Sequence, residues 1–267
     1  MGLIAFDGVS CGLARTPERG SNVARLYALY ESPNKRFFPG GWPRVAVFAG
    51  RLRERLRRGG HSIVDSAHNA VGQYRADGDR MLDIAGFGCG GALAVELTHV
   101  IAADPNLRDV QIRFVALWDV LHANRDRCPY ADEHHHRSLH ARTFKAAHVM
   151  AIDESRRDYE LQRQPRAYEM WFRGNHDDIG GCEGSRALAD LTLAWMLRKS
   201  RLLRLPIRPG AIGGLKPDAQ ADISVPADAT EFTRREVMEN DRVHESVGFR
   251  IGPQFNNPDP DLIRIRR

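Results

Sequence analysis

The spacing of hydrophobic and polar residues predicts short buried strands that alternate with amphipathic helices. Runs of apolar residues typical of strands occupy residues 3–6, 44–48, 81–85, 110–118 and 169–172. Apolar residues at helical spacing occupy residues 22–29, 51–58, 62–74, 92–102, 143–157 and 186–199. This alternation favours an α/β fold with a mostly parallel central sheet and helices on both faces. We expect a single domain over residues 1–267, with an irregular tail from about residue 251.

The remaining segments are polar or rich in glycine and proline. Residues 33–42 and 173–181 are predicted loops, residues 122–140 form a long loop or a broken helix, and a short helix is expected near residues 231–240. Functional residues of a parallel sheet lie beyond the carboxyl ends of its strands. Asp7, Gly88, Asp119 and His176 each follow a predicted strand, so we expect them to meet at one sheet edge.

Residues 78–96 carry the most distinctive pattern, a strand followed by a glycine-rich corner and a helix. Gly86 and Gly90 flank Gly88 at the spacing of an α/β-hydrolase nucleophile elbow, where strand and helix approach too closely for a Cβ atom. The middle position of such an elbow normally holds a serine, but here it is Gly88. The segment GFGCGG is also open to interpretation as a phosphate-binding loop.

The chain resembles the α/β-hydrolase domain of bacterial type VI secretion phospholipase effectors, within a large family first defined as a domain of unknown function. The likeness runs from about residue 3 to about residue 250 and rests on eight segments in the same order. They are FDG, SNVARL, GDRMLDIAGF, RFVALWDV, HVMAIDESR, MWFRGNHDDIGG, ADLTLAWML and VHESV.

The resemblance implies ester hydrolysis by a catalytic triad. The family's corner reads GFSRGA with the serine as nucleophile, which corresponds to Gly88. The acid and base positions correspond to Asp119, in the WD segment, and His176, in HDDIGG. The backbone N–H of Cys89 and the loop that begins at Asp7 and Gly8 are the candidate oxyanion donors.

The chain departs from the family pattern at the nucleophile itself. Gly88, Cys89 and Gly91 stand where the family has Ser, Arg and Ala, and glycine has no group that can attack a carbonyl. Three clustered changes indicate drift at a site that is no longer used for this chemistry, or a site that has been rebuilt. We therefore expect a catalytically impaired hydrolase that acts by binding, with a lipid or ester ligand and a protein of a secretion system as candidate partners.

The alternative is an active carboxylic-ester hydrolase with Cys89 as its nucleophile. In it His176 would activate the thiol, together with Asp119. That interpretation shifts the elbow by one residue and places Phe87 at its first glycine, where a large side chain should clash. A buried structural thiol is the other interpretation of Cys89. His244 is a reserve candidate for the base, although we expect it to be structural.

Composition adds limits rather than a function. The 267 residues are 42% hydrophobic and 27% charged with a net charge of +5, as in an ordinary globular protein. The basic residues at 51–58 and 264–267 are predicted to be a solvated face and a charged tail, and we expect no nucleic acid partner. No apolar run reaches the length of a membrane span.

The four cysteines and the histidine-rich segment each suggest a chemistry. Cys11, Cys89, Cys128 and Cys182 form no CxxC pair, which favours reduced thiols in a cytoplasmic protein, or in one exported without a cleaved signal peptide. The segment 133–136, with Asp132 and His140, suggests a metal site. Adjacent histidines of a loop point in different directions, so we expect neither a metal nor a cofactor.

Overall fold

The central element is one parallel sheet of six strands. A computed structural model describes residues 1–8, 20–40, 50–122, 128, 138–225, 233–252 and 255–258. The sheet order is β2-β1-β3-β4-β5-β6, and every neighbouring pair is parallel. The strands are β1 (Gly2–Phe6), β2 (Lys35–Phe38), β3 (Met81–Phe87), β4 (Gln111–Trp118), β5 (Thr143–Ala151) and β6 (Tyr168–Phe172). The predicted parallel sheet is confirmed.

Helices cover both faces of this sheet, as the alternation predicted. They are α1 (Asn22–Leu29), α2 (Gly50–Ala76), α3 (Cys89–Ala103), α4 (His176–Gly180) and α5 (Arg186–Leu202), with short 3-10 helices at Pro105–Leu107 and Glu245–Phe249. Ile4 and Phe6 of β1 pack in one core with α2 and α3. Leu3 and Ala5 point to the opposite core, with α1 and α5, because successive strand residues face opposite sides.

Several predicted elements are wrong. Residues 143–157, expected to be helical, begin with the nine-residue strand β5, whose second half is buried on both faces. Its alanines favour a helix prediction because alanine has a high helix propensity. A strand that is buried on both faces also lacks the alternation of apolar and polar residues by which strands are predicted. The segment 33–42, expected to be a loop, contains the edge strand β2. Its sequence, KRFF, does not alternate between apolar and polar residues. Residues 51–58 and 62–74 are helical as predicted, but they belong to one helix, α2.

Two further predictions concern the less regular parts of the chain. The predicted helix near residues 231–240 is wrong for the part that the structure describes, since residues 233–240 are irregular. The predicted strand at 44–48 lies outside the described residues. The segment 173–181 was expected to be a loop but contains the short helix α4.

The expectation of reduced thiols is also wrong. Cys89 and Cys128 form a disulfide across a separation of 39 residues. Cys182 is disulfide-bonded as well, and Cys11 lies outside the described residues. Disulfides between cysteines so far apart in sequence depend on the fold, and no local spacing of cysteines predicts them. Within the described parts of the chain, no helix is both long and apolar enough to cross a membrane.

Candidate active site

The corner after β3 has the geometry of a nucleophile elbow. Gly88 separates β3 from α3 and adopts φ +55° and ψ −122°, a backbone conformation that strains residues with a Cβ. A Cβ atom on Gly86 would lie 2.7 Å from the Gly90 carbonyl oxygen, and one on Gly90 would lie 2.5 Å from the carbonyl oxygen of Asp7. The two flanking glycines are therefore required by the close crossing of strand and helix.

A histidine and an aspartate from later in the chain face this corner. His176 Nδ1 donates a hydrogen bond to Asp119 Oδ2 at 2.7 Å, because an ionised carboxylate can only accept. His176 Nε2 lies 3.0 Å from the place where a Cβ atom on residue 88 would stand. Both side chains are buried. The structure thus brings the predicted nucleophile, acid and base positions together.

His176 is fixed in both position and ring orientation. Asn175 caps α4 with a reciprocal capping box that includes Asp178, and the His176 backbone N–H donates to Glu154 Oε2 at 3.1 Å. The imidazole stacks on Phe87 with ring centres 4.3 Å apart and meets the edge of Tyr159 at 5.0 Å. These contacts hold Nε2 toward position 88.

Asp119 is paired with a second cation besides the histidine. Arg235 donates to both of its carboxylate oxygens, at 2.6 and 3.0 Å. The Ala151 backbone N–H donates to Oδ1 at 2.9 Å. Burial alone would raise the pKa of Asp119, but Arg235 and His176 outweigh it and hold that pKa well below its usual range. The carboxylate is therefore ionised and shared between a guanidinium and an imidazole.

A buried ion pair lies beside the base. Arg156 donates to Glu154 Oε2 at 2.7 Å and to Asp177 at 3.0 Å, and its guanidinium lies 3.6 Å from the centre of the Tyr159 ring. Burial favours a higher pKa for the Glu154 carboxyl, but Arg156 reverses that effect and the pKa is lowered. Glu154 is therefore an ionised acceptor for the His176 backbone.

A second histidine–carboxylate pair supports the loop after β4. Buried His148 accepts a hydrogen bond from the Val120 backbone N–H at 3.1 Å, and its other ring nitrogen lies 3.1 Å from Glu169 Oε1. Burial works to raise the pKa of Glu169, but His148 and Arg163 hold it at about 2. This network fixes the residue that follows Asp119.

The predicted oxyanion residues lie at the elbow, and their role stays a prediction. Cys89 is the first residue of α3, directly after Gly88. The Gly8 backbone N–H donates to the Asp7 carboxylate at 2.9 Å. Burial raises the pKa of Asp7 to about 6, against the opposing hydrogen bonds of Ser21 and Gly8. The Asp7 carboxyl group is therefore engaged by Ser21 and by the Gly8 backbone N–H.

The hypothesis of a Cys89 nucleophile is contradicted by the disulfide. Its sulfur is bonded to that of Cys128, so no thiolate is present to attack a carbonyl. The elbow conformation also falls on Gly88 without the one-residue shift that a Cys89 nucleophile requires. Cys89 therefore ties the start of α3 to residue 128.

The other candidates lie elsewhere. His244 stacks on Phe172 at 4.4 Å and caps the 3-10 helix Glu245–Phe249, and burial lowers its pKa to about 4. His140 makes an edge contact with the His99 ring. The segment 132–136 lies outside the described residues. Elsewhere in the described chain, no group of three or more His, Cys, Asp or Glu side chains could hold a metal ion.

Sequence reasoning missed the charged groups that surround the dyad. Arg235 lies 116 residues after Asp119 in an irregular segment, where nothing local marks it. Glu154 and Arg156 lie within the quoted segment HVMAIDESR, which was a signal for them. That segment was interpreted as a helix, which hid the position of both residues beyond a strand end.

Comparisons with known proteins identify relatives of this chain. A family model described as "T6SS, Phospholipase effector Tle1-like, catalytic domain" matches residues 63–199, just over half of the chain. The uncharacterized protein YEL023C of Saccharomyces cerevisiae is 33% identical over 69 residues, which span 24% of this chain and only 10% of the yeast protein. The NocB thioesterase domain, solved in covalent complex with a fluorophosphonate nocardicin G analog, aligns with a TM-score of 0.40 and 12% identity over 76% of this chain and 93% of that domain.

Proposed function

The chain belongs to the Tle1-like phospholipase effector catalytic-domain family of type VI secretion, and from this premise we propose that it is a pseudo-hydrolase that binds a lipid or ester ligand without cleaving it. The observation that carries the proposal is Gly88 at the elbow, facing His176 Nε2, with no atom that can attack. The histidine can accept a proton, but Gly88 has no hydroxyl or thiol from which to take it.

The rest of the site supports binding. The elbow glycines, the dyad and the cap of α4 keep the geometry of a hydrolase, and residue 88 places no side chain in front of His176 Nε2. The Arg235 guanidinium neutralises the Asp119 carboxylate, which weakens the support that the carboxylate would give to a charged imidazolium. With Nδ1 donating to Asp119, His176 Nε2 faces position 88 and can accept a hydrogen bond from a ligand hydroxyl or a water.

Disulfides support the placement of this protein in an oxidising compartment. Cys89, Cys128 and Cys182 are all disulfide-bonded, and such bonds persist outside the reducing cytosol. Delivery by a secretion system reaches compartments of that kind. A protein of that system is the proposed partner.

Two measurements on the natural chain test the proposal. Incubation with p-nitrophenyl butyrate and with a fluorogenic phospholipid should give no turnover above the buffer rate. An ether-linked phospholipid, which has no carboxylic ester to cleave, should still bind in mixed micelles. Clear turnover that His176→Ala abolishes would overturn the loss of catalysis. Absence of binding to the ether lipid would overturn the binding role.

A further inference from the structure

A cavity of about 530 Å³ lies between α1, the first turns of α5 and the segment 208–216. Part of its wall is apolar, formed by Ala28, Leu29, Pro209, Ala211 and Leu215. The rest carries charge, and none of the lining residues belongs to the dyad or the elbow. This volume is in the range of cavities that hold small organic ligands.

The charged part of the wall is mostly positive. Among the described lining residues, one carboxylate, Asp190, faces four cations: Arg25, Arg186, Arg208 and Lys216. Asp190 Oδ1 accepts from Arg25 at 2.6 Å, and Oδ2 accepts from the Lys216 backbone N–H at 2.7 Å. Both carboxylate oxygens are therefore engaged, and three positive charges remain in excess on the wall.

Among the residues that the structure describes, the excess positive charge has little other compensation. Arg186 lies 3.9 Å from Asp190, and its pKa is lowered first by burial and then by the nearby charge of Arg25. Arg208 meets Glu31 at 3.6 Å, but both side chains are more than half exposed, so water screens that pair. The cations thus repel one another around a concave space.

Backbone hydrogen bonds hold the walls of the cavity together. The Arg208 backbone N–H donates to the Leu29 carbonyl at 2.9 Å, and the Glu31 N–H donates to the Pro206 carbonyl at 2.6 Å. These bonds fasten the segment 208–216 to the end of α1, and the Lys216 N–H fastens it to α5. A preformed site loses less free energy on binding.

We propose that this cavity binds an oxyanion of the phosphate class, whose organic portion lies against Leu29 and Leu215. Guanidinium groups match the geometry of phosphate oxygens, and ionised partners make the stronger hydrogen bonds. The phosphate belongs either to a soluble phosphate ester or to a lipid headgroup. The described residues that line this cavity include neither Gly88 nor its neighbour His176, so oxyanion binding here is independent of catalysis at Gly88.

The test compares a cavity variant with a charge-matched control. Arg208→Gln with Lys216→Gln removes two exposed cations from the cavity wall, and Arg36→Gln with Lys145→Gln removes two exposed cations elsewhere. Inorganic phosphate and glycerol 3-phosphate are titrated calorimetrically at low salt. Cosedimentation is measured with phosphatidylglycerol vesicles and, as a neutral reference, with phosphatidylcholine vesicles.

The natural chain and the control variant should bind equally, and the cavity variant should bind about tenfold more weakly. Binding of glycerol 3-phosphate would show that a soluble phosphate ester is a sufficient ligand. Binding of phosphatidylglycerol vesicles without binding of glycerol 3-phosphate would show that the ligand is a lipid headgroup. The proposal is overturned if neither source binds, or if both variants lose affinity equally. His176→Ala should leave the binding of inorganic phosphate and glycerol 3-phosphate unchanged, which separates the cavity from any ligand at the elbow.

Discussion

Position 88 differs from an elbow serine by one hydroxymethyl group, while the residues around it keep their hydrolase arrangement. Gly88 adopts φ +55°, so it relieves strain that any other residue would store there. Its neighbour His176 already lies within 3.0 Å of the missing Cβ position. Loss of the nucleophile and a more relaxed elbow therefore come from the same residue.

Gly88→Ala should destabilise the protein by about 1–3 kcal/mol, because alanine is strained in this conformation and its Cβ presses on His176. Urea denaturation measures the effect. Gly72→Ala is the matched control, since Gly72 lies inside α2 with no atom within 4 Å of an added Cβ. The control should be neutral or stabilising by up to about 1 kcal/mol. Equal effects at the two positions would contradict a strained elbow.

Asp119→Asn should cost about 3–5 kcal/mol of unfolding free energy, because it leaves the buried Arg235 guanidinium without its anion. Asp222→Asn removes the carboxylate of an exposed ion pair with Arg250 and should change stability by less than about 1 kcal/mol. Chemical denaturation of both variants at neutral pH makes the comparison. A similar small change for both would show that the Asp119–Arg235 pair is not structural.

Asp7 gives a pH-dependent prediction. Its folded pKa of about 6 lies above the ordinary value of 3.8, so the folded state favours the protonated form. The associated stability is present below pH 4 and is lost as the pH rises through about 6. On going from pH 4 to pH 7.5, the unfolding free energy of Asp7→Asn should therefore rise by up to about 3 kcal/mol relative to that of the natural chain.

Denaturation midpoints at the two pH values check this gain. Asp77→Asn, at an exposed turn, is the control and should show the same difference from the natural chain at both. A difference for Asp7→Asn that does not change with pH would mean that its carboxyl has an ordinary pKa.

At the scale of elements, the sequence predicts best where a segment's own pattern agrees with its surroundings. β1, β3 and α5 were predicted within a few residues, because apolar runs or helical spacing match the faces that they bury. β5 was missed because its buried half has no alternation, and its strand form comes from pairing with β4 and β6. The sequence of the segment alone does not predict such pairing with neighbouring strands.

The disulfide ties the start of α3 to residue 128 and leads to a prediction about stability. Cys128→Ala frees the Cys89 thiol and opens a loop of 39 residues, so stability should fall by about 3–4 kcal/mol. The freed thiol should not create ester hydrolysis, because the elbow position belongs to Gly88. Denaturation and p-nitrophenyl butyrate assays of the purified variant test both points. Turnover abolished by a further Cys89→Ala change would revive the thiol hypothesis.

For the whole molecule, the meeting of the site residues was predictable and their charged support was not. Gly88, Asp119 and His176 follow strands of one parallel sheet, so topology alone places them at one edge. Arg235 reaches Asp119 from an irregular segment 116 residues later. The fold also pairs Cys89 with Cys128. Contacts of this range depend on the complete fold and have no local signature.

The most direct test of the account is to restore the missing hydroxyl. Gly88→Ser and Gly88→Ala are assayed beside the natural chain on p-nitrophenyl esters and phospholipids, and each is exposed to a fluorophosphonate probe. We predict turnover and labelling only in Gly88→Ser, both lost on adding His176→Ala. If the natural chain hydrolyses these substrates as fast as Gly88→Ser does, the claim that Gly88 is the cause of the lost catalysis is contradicted.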